Sequence, residues 1–401
     1  MISHEIIKQL SLKTDSKIVI VLFDGLGGLP DEGTGKTELE TAHTPYLDRL
    51  ALNGICGLSD PVSPGITPGS GPGHLALFGY DPLQYTIGRG VMEALGIGFK
   101  MHENDIAARG NFCTIDDKGL ITDRRAGRIS TEKNMELCAL LSKINLDAVE
   151  VFVEPVKEHR FALVLRGENL SDKVSETDPQ MTGVEPSLSV AETDGAKRTT
   201  ELINKFSMAA KQVLSEHHPA NMVLLRGLSM LPHLDTMDKV YKLSPAAIAR
   251  YPMYKGLARL LGMEIYDVEG DIEEELDVLK ERYDKHDFFF IHIKGTDSAG
   301  EDGDFKRKVD IIQKADSVLS RLEDLHPDVI VVTGDHSTPA RLKGHSWHPV
   351  PCLINSRYCR PDRVTEFSEF ACSSGSLGRF SALNIMSIAM ANALKLTKYG
   401  A

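Results

Sequence analysis

A chain of 401 residues, 42% apolar and 25% charged, is too long for one simple core and is expected to be a soluble globular enzyme of two domains. Its net charge of −12 argues against non-specific nucleic-acid binding but leaves anionic small molecules open, because a local basic pocket overrides the global field. Six cysteines without regular spacing, no signal-type apolar core at the amino end and no apolar run of spanning length lead to the expectation of a cytoplasmic protein with reduced thiols and no membrane partner.

Residues 17–23 (KIVIVLF) form an apolar, β-branched run of the kind buried on both faces of a sheet, and the run stops at Asp24-Gly25. The glycine-rich turn that follows matches neither a dinucleotide fingerprint nor a Walker loop. Tyr46, Leu47, Leu50 and Leu52 mark the apolar positions of a short helix. A Pro/Gly-rich loop then ends in Gly69-Ser70-Gly71-Pro72-Gly73-His74 ahead of a helical Leu-Ala-Leu-Phe. A small hydroxyl residue between glycines lets a substrate approach the backbone, and the free N–H groups of a helix start favour an anion. The ordinary alternative is a serine cap. His74 reads as a packing or hydrogen-bonding residue.

From about residue 100 to 262 the character changes to β-like runs without metal-type ligands, and basic residues stand out, above all Arg124, Arg125 and Arg128. In an acidic chain such a group is suited to grip phosphate or carboxylate. Residues 101–262 are therefore expected to be an α+β domain inserted into a core made of 1–100 and 263–401.

The first pattern then resumes. Residues 288–294 (FFFIHIK) lead into Gly-Thr-Asp297, with Glu301 one helical turn later. An amphipathic helix over 304–325 leads to the buried run 329–332, which ends in Thr-Gly-Asp335-His336. His345 and His348 follow on a loop, and a closing helix is expected over 383–396. If the three apolar strands are parallel neighbours, Asp24, Asp297 and Asp335 converge at the carboxyl edge of the sheet, where open α/β sheets bind ligands. One aspartate there can simply cap a helix. Three together repel unless a polyvalent cation joins them, so the expectation is a metal site.

These motifs resemble the alkaline phosphatase-like metalloenzyme superfamily. Within it the chain resembles the archaeal-type, cofactor-independent phosphoglycerate mutases, over nearly its whole length. The likeness includes Thr41-Ala-His-Thr-Pro, Asp123-Arg-Arg-Ala-Gly-Arg-Ile129, Glu158-His-Arg-Phe161 and Tyr254-Lys-Gly-Leu-Ala-Arg. The resemblance implies a mostly parallel α/β sheet flanked by helices. It also implies two divalent ions, Mn²⁺ or Mg²⁺ ahead of Zn²⁺ or Co²⁺. Asp24, Ser70, Asp335 and His336 would hold one ion; Asp297, the residue at 301 and His345 would hold the other. Ser70 would take the phosphoryl group of 3-phosphoglycerate and return it to the 2-hydroxyl of glycerate, with no 2,3-bisphosphoglycerate needed. Arg124, Arg125, Arg128, Arg160 and Lys255 would bind the substrate, and the inserted domain would serve as a lid.

Position 301 departs from that pattern, being Glu where the family usually has His. The expectation is a carboxylate ligand that lowers the charge of the loaded site and biases its ion away from Zn²⁺. The competing readings are another phosphomutase or a phosphohydrolase of the superfamily, and a metal-impaired homologue that binds without turnover. Oligomeric state is not encoded in any motif.

Overall fold

The computed structural model describes residues 3–400. The chain forms two compact units, one of Met1–Thr86, Leu234–Tyr251 and Leu257–Ala401, the other of Ile87–His233 and Pro252–Gly256. In chain order the strands are β1 Ile18–Phe23, β2 Ile55–Asp60, β3 Ile106–Ile115, β4 Ile121–Asp123, β5 Glu150–Lys157, β6 Arg160–Arg166 and β7 Met222–Met230. They continue with β8 Pro245–Ile248, β9 Glu264–Tyr266, β10 Phe288–Ile293, β11 Val329–Thr333, β12 Val350–Ser356 and β13 Gly378–Ser381.

The first unit is built on a sheet of order β13-β2-β12-β11-β1-β10-β8-β9. β12 runs antiparallel to both its neighbours, and every other pair is parallel. β1 lies between β10 and β11, with Val21 level with Ile291 on one side and Val332 on the other. That register brings all three carboxyl ends to one edge. Every residue of β1, β10 and β11 is buried, and each buried aliphatic or aromatic side chain contributes about 1.5–3 kcal/mol. Two like charges about 4 Å apart repel by roughly 4 kcal/mol in a protein-like environment. The apolar strands therefore outweigh the repulsion among the carboxylates at their tips.

The Phe305–Leu319 helix starts at an Asp304 cap and buries Val309, Ile312, Ala315, Val318 and Leu319. Its last expected turn, Ser320–Leu325, is a 3₁₀ segment that still buries Leu322. From the same helix the buried Lys308 ammonium donates to the carbonyls of Gly25 (2.9 Å), Gly27 (3.1 Å) and Thr338 (2.9 Å). One cation thus fastens the turns after β1 and β11, where Asp24 and Asp335 stand.

The second unit is an antiparallel sheet in which long β3 pairs with β6, β7 and β4, and β6 pairs with β5. Its Arg89–Gly96 helix packs Val91 and Ala94 against Ala107, Ala162 and Val164. That contact moves the first boundary back from residue 100 to 86. β8 and β9 are paired in the large sheet, so the first unit reclaims 234–251, short of the expected boundary at 262. Leu52, expected on the buried side of its helix, is 49% exposed, and Ala51 takes its place. Among the described residues no helix is long and apolar enough to cross a membrane.

Candidate active site and metal centre

Asp24 follows β1 directly, and the turn after it needs Gly25. That residue has φ +65°, and a Cβ there would lie 2.5 Å from Thr338 Oγ1. The Asp24 carboxylate is fully buried. Its Oδ2 lies 3.1 Å from both His292 Nε2 and Lys294 Nζ, and its Oδ1 lies 3.3 Å from His336 Nε2. Burial would raise the Asp24 pKa, but His292, His336 and Lys294 outweigh it and hold the group well below the usual carboxylate range.

The Ser70–Leu77 helix begins at the serine itself, with Gly69 as its cap and no side-chain capping bond. The ordinary reading of Ser70 as a helix cap is thereby removed. Ser70 Oγ lies 3.2 Å from His336 Nε2. Gly73, one turn on, packs against the end of β11, where a Cβ would come within 2.2 Å of the Asp335 carbonyl. His74 has the hydrogen-bonding role expected of it, with Nδ1 2.8 Å from the Ser70 carbonyl and 3.1 Å from Asp335 Oδ2.

Asp335 Oδ1 accepts from Gly25 N–H at 3.1 Å, and Oδ2 stands 3.2 Å from His336 Nε2. His336 Nδ1 is fixed by Thr338 Oγ1 at 2.9 Å, and its ring stacks on His345 with centroids 3.6 Å apart. Asp297 Oδ1 accepts from Thr338 Oγ1 at 2.8 Å and lies 3.5 Å from His345 Nε2. Burial works against ionisation of Asp297, but His345 and Lys294 bring its pKa down to about 2. Burial likewise disfavours the charged His345, yet Asp297 and the Pro68 carbonyl raise it to about 9.

Two sets of donor atoms lie within 4.8 Å of one another: Asp24, Asp335 and His336, and Asp297, His336 and His345. Asp24 Oδ1 and Asp335 Oδ2 are buried without an aligned hydrogen-bond donor, Oδ1 having only an ion-pair contact with His336 and Oδ2 only ion-pair contacts with His336 and His74. Orphaned carboxylate oxygens in a buried cluster fit a hard divalent cation. Ser70 adjoins the first set.

Glu301 is not part of either set. The Gly295–Asp302 helix has the expected spacing, but the Glu301 side chain is exposed. Among the aspartates of the sheet edge a further carboxylate adds like-charge repulsion, which favours the exposed orientation. Replacing Glu301 by Ala is expected to change Mn²⁺ affinity less than about tenfold, whereas His345→Ala should remove one ion. Calorimetric titration of both variants checks this.

In the second unit, Arg124, Arg125, Arg128 and Arg160 line a pocket of about 460 Å³. Asp123 shapes the loop that carries three of them, its carboxylate accepting from Arg125 N–H (2.8 Å) and Gly127 N–H (2.6 Å). Arg89, Arg109, Asn111, His159 and Arg226 complete the polar lining beside Lys157 and Glu158. Asn111 Oδ1 and Arg160 Nε are buried without a hydrogen-bond partner. Burial, then Arg160, pushes the His159 pKa down to about 4, so this imidazole is neutral at pH 7. Lys255 is half-buried on the Pro252–Leu260 helix and is not among the lining residues.

A mostly parallel sheet with carboxylates, imidazoles and a helix-borne serine at its carboxyl edge defines an α/β core with a candidate metal centre where such sheets bind ligands. The family model for 2,3-bisphosphoglycerate-independent phosphoglycerate mutase matches residues 51–221. A relative from Thermus thermophilus, described as a probable enzyme of that name, is 50% identical over 401 residues and covers 99% of each chain. One from Aquifex aeolicus with the same description is 48% identical over 407 residues, covering 99% of this chain and 100% of its own. The cofactor-independent phosphoglycerate mutase of Thermoplasma acidophilum superposes with a TM-score of 0.77 at 32% identity, covering 94% of this chain and 100% of that one. The PH0037 protein of Pyrococcus horikoshii gives 0.83 at 30% identity, with 97% and 100% covered. The chain belongs to the 2,3-bisphosphoglycerate-independent phosphoglycerate mutase family and is an isomerase.

Proposed function

We propose that the protein interconverts 3-phosphoglycerate and 2-phosphoglycerate through a phosphoserine on Ser70, with two divalent ions and no 2,3-bisphosphoglycerate. The observation that carries this reading is Ser70 Oγ standing 3.2 Å from His336, within the buried group of Asp24 and Asp335. Asp24, Ser70, Asp335 and His336 would hold one ion, and Asp297 and His345 the other. Bound there, the ions would acidify the serine hydroxyl and neutralise the charge that builds on the phosphoryl oxygens. The oxygen-rich first set favours Mn²⁺ or Mg²⁺, with Zn²⁺ or Co²⁺ behind them.

Ser70 Oγ bonds to phosphorus as the bond to the substrate's 3-oxygen breaks, and the serine proton ends on that oxygen. The glycerate then turns, its 2-oxygen takes the phosphoryl group, and the 2-hydroxyl proton returns to Ser70. The helix start at Ser70 supplies backbone N–H groups and a favourable dipole for the anion. The guanidinium-lined pocket matches the phosphate and carboxylate of the substrate in charge. The activity belongs to glycolysis and gluconeogenesis, which agrees with a cytoplasmic setting.

The test is to incubate metal-loaded protein with 3-phosphoglycerate alone and follow 2-phosphoglycerate and free phosphate together. Isomerisation without free phosphate is expected; release of phosphate as the main product, or a strict need for the bisphosphate, would overturn the reading.

The arginines divide by their partners. Arg125 and Arg128 are exposed, so Ala at either is expected to lower kcat/KM by about one to two decades, the value of a charge-assisted contact, with metal content unchanged. Arg124 is tied by two hydrogen bonds to the buried Asp178 (3.1 and 2.7 Å). Arg124→Ala should therefore also lower the melting temperature, because that buried carboxylate loses its paired guanidinium and keeps only the Gln180 N–H and a longer Arg226 contact. Unchanged kinetics in all three variants would mark the loop as ordinary surface.

A further inference from the structure

Lys294 has no place in the ligand sets above, yet it makes the closest cationic contacts to two of their carboxylates. It ends the run from β10 and precedes the Gly295–Asp302 helix. Its Nζ lies 2.5 Å from Asp297 Oδ2 and 3.1 Å from Asp24 Oδ2. Its side chain is 26% exposed, and the ammonium also stands 5.7 Å from the centre of the Tyr251 ring.

These contacts make the two candidate ion positions unequal. At the first, Asp24 Oδ1 and Asp335 Oδ2 are buried and accept no hydrogen bond. At the second, each Asp297 oxygen already accepts a hydrogen bond, Oδ1 from Thr338 Oγ1 and Oδ2 from the Lys294 ammonium. An ammonium is a compact point charge that uses the same carboxylate lone pairs as an oxygen-seeking divalent ion. Glu301, turned to solvent, adds nothing there.

We propose that Lys294 is a built-in counter-ion that occupies the Asp24–Asp297 carboxylate pair and competes with the divalent ion at Asp297. In the metal-free protein it offsets the repulsion between the two carboxylates. When the second ion binds, the ammonium leaves Asp297 Oδ2, and the partly open side chain with the Tyr251 face nearby gives it somewhere to go. Loading is therefore ordered: the Asp24–Asp335–His336 position fills first, and the Asp297–His345 position fills later and more weakly. This inference rests on the two-ion reading of the sheet edge and adds to it an order and a cause.

The test is calorimetric titration of the metal-free full-length protein with Mn²⁺, comparing the parent with Lys294→Met, which keeps the length and removes the charge, and Lys294→Arg, which keeps the charge. The parent is expected to show a tight and a weaker class of site. Lys294→Met should tighten the weaker class about tenfold or more, the scale of a charge-assisted contact, while Lys294→Arg should not tighten it. Metal-free Lys294→Met should also melt below the metal-free parent, with the gap closing in saturating Mn²⁺. Labelling of Lys294 in the parent by an amine-acylating reagent gives a measurement independent of any variant, and saturating Mn²⁺ should increase it. Equal or weaker affinity of the second class in Lys294→Met, or labelling that is unchanged or reduced by Mn²⁺, overturns the counter-ion role alone. Binding of no ion by either protein overturns the two-ion reading along with it.

Discussion

Ser70→Ala is expected to reduce mutase turnover by more than about a thousandfold while leaving the fold intact. The two halves of that expectation come from separate observations. Ser70 makes no capping bond at the helix it begins, and its hydroxyl contact is His336 Nε2 at 3.2 Å. Removing one oxygen from a half-buried loop–helix junction takes away little packing, so circular dichroism and the melting temperature should change little. The chemistry is different, because no other hydroxyl can take over a covalent intermediate without being in line with the same phosphorus. Rapid quenching of the parent with 3-phosphoglycerate, followed by peptide mass spectrometry, should find phosphate on Ser70. Phosphate on another residue, or an alanine variant that keeps more than a few per cent of parental turnover, would sink the assignment.

What the sequence conveys about this fold depends on how strongly each segment is buried. The runs at 17–23, 288–294 and 329–332 are buried on both faces, so an unbroken apolar composition marks them, and the Asp that ends each run stands out by contrast. Their parallel pairing follows from the long connections between them, and register then fixes where Asp24, Asp297 and Asp335 meet. β8, Pro-Ala-Ala-Ile, carries no comparable signal at four residues; it is a strand because β10 offers it an edge, which local pattern cannot show. The second unit accordingly starts before residue 101 and leaves 234–251 to the first unit, against the expected span of 101–262.

The side-chain environment is less legible than the strands. His292 lies inside an apolar run and reads as a strand residue, although a buried imidazole there must find a partner, and Asp24 is that partner. Lys294 reads as the ordinary polar end of a strand until the Asp24 and Asp297 carboxylates are seen on either side of it. Arg109 and Asn111 share a face of β3 by simple alternation, a signal that could have added both to the arginine group. Glu301, expected as a ligand, lies outside both donor sets. Helical spacing sets the direction of its Cα–Cβ bond, but a long charged side chain can still turn to water, and here it is exposed.

Asp335→Asn should remove one of two bound ions and lower turnover by at least about a hundredfold, with the metal-free fold preserved. Asn has the same shape as Asp and can keep the acceptor that Oδ1 offers to Gly25 N–H at 3.1 Å. What changes is Oδ2, a buried oxygen that accepts no hydrogen bond and lies 3.1 Å from His74 Nδ1 and 3.2 Å from His336 Nε2. An amide nitrogen there has no lone pair to give a cation and removes one of the negative charges that draw it in. Metal-free stability should therefore move little, since one fewer carboxylate also means less repulsion at the sheet edge. Metal-linked stability should move more. A ligand present at a hundred times its Kd stabilises the folded state by about 2.7 kcal/mol, so Mn²⁺ should raise the parent's melting temperature clearly and that of Asp335→Asn by much less. Chelator should cost the parent its activity and take little further from the variant. Two ions bound by Asp335→Asn with parental affinity would show that Asp335 is not a ligand, and that its orphaned oxygen serves the two imidazoles alone.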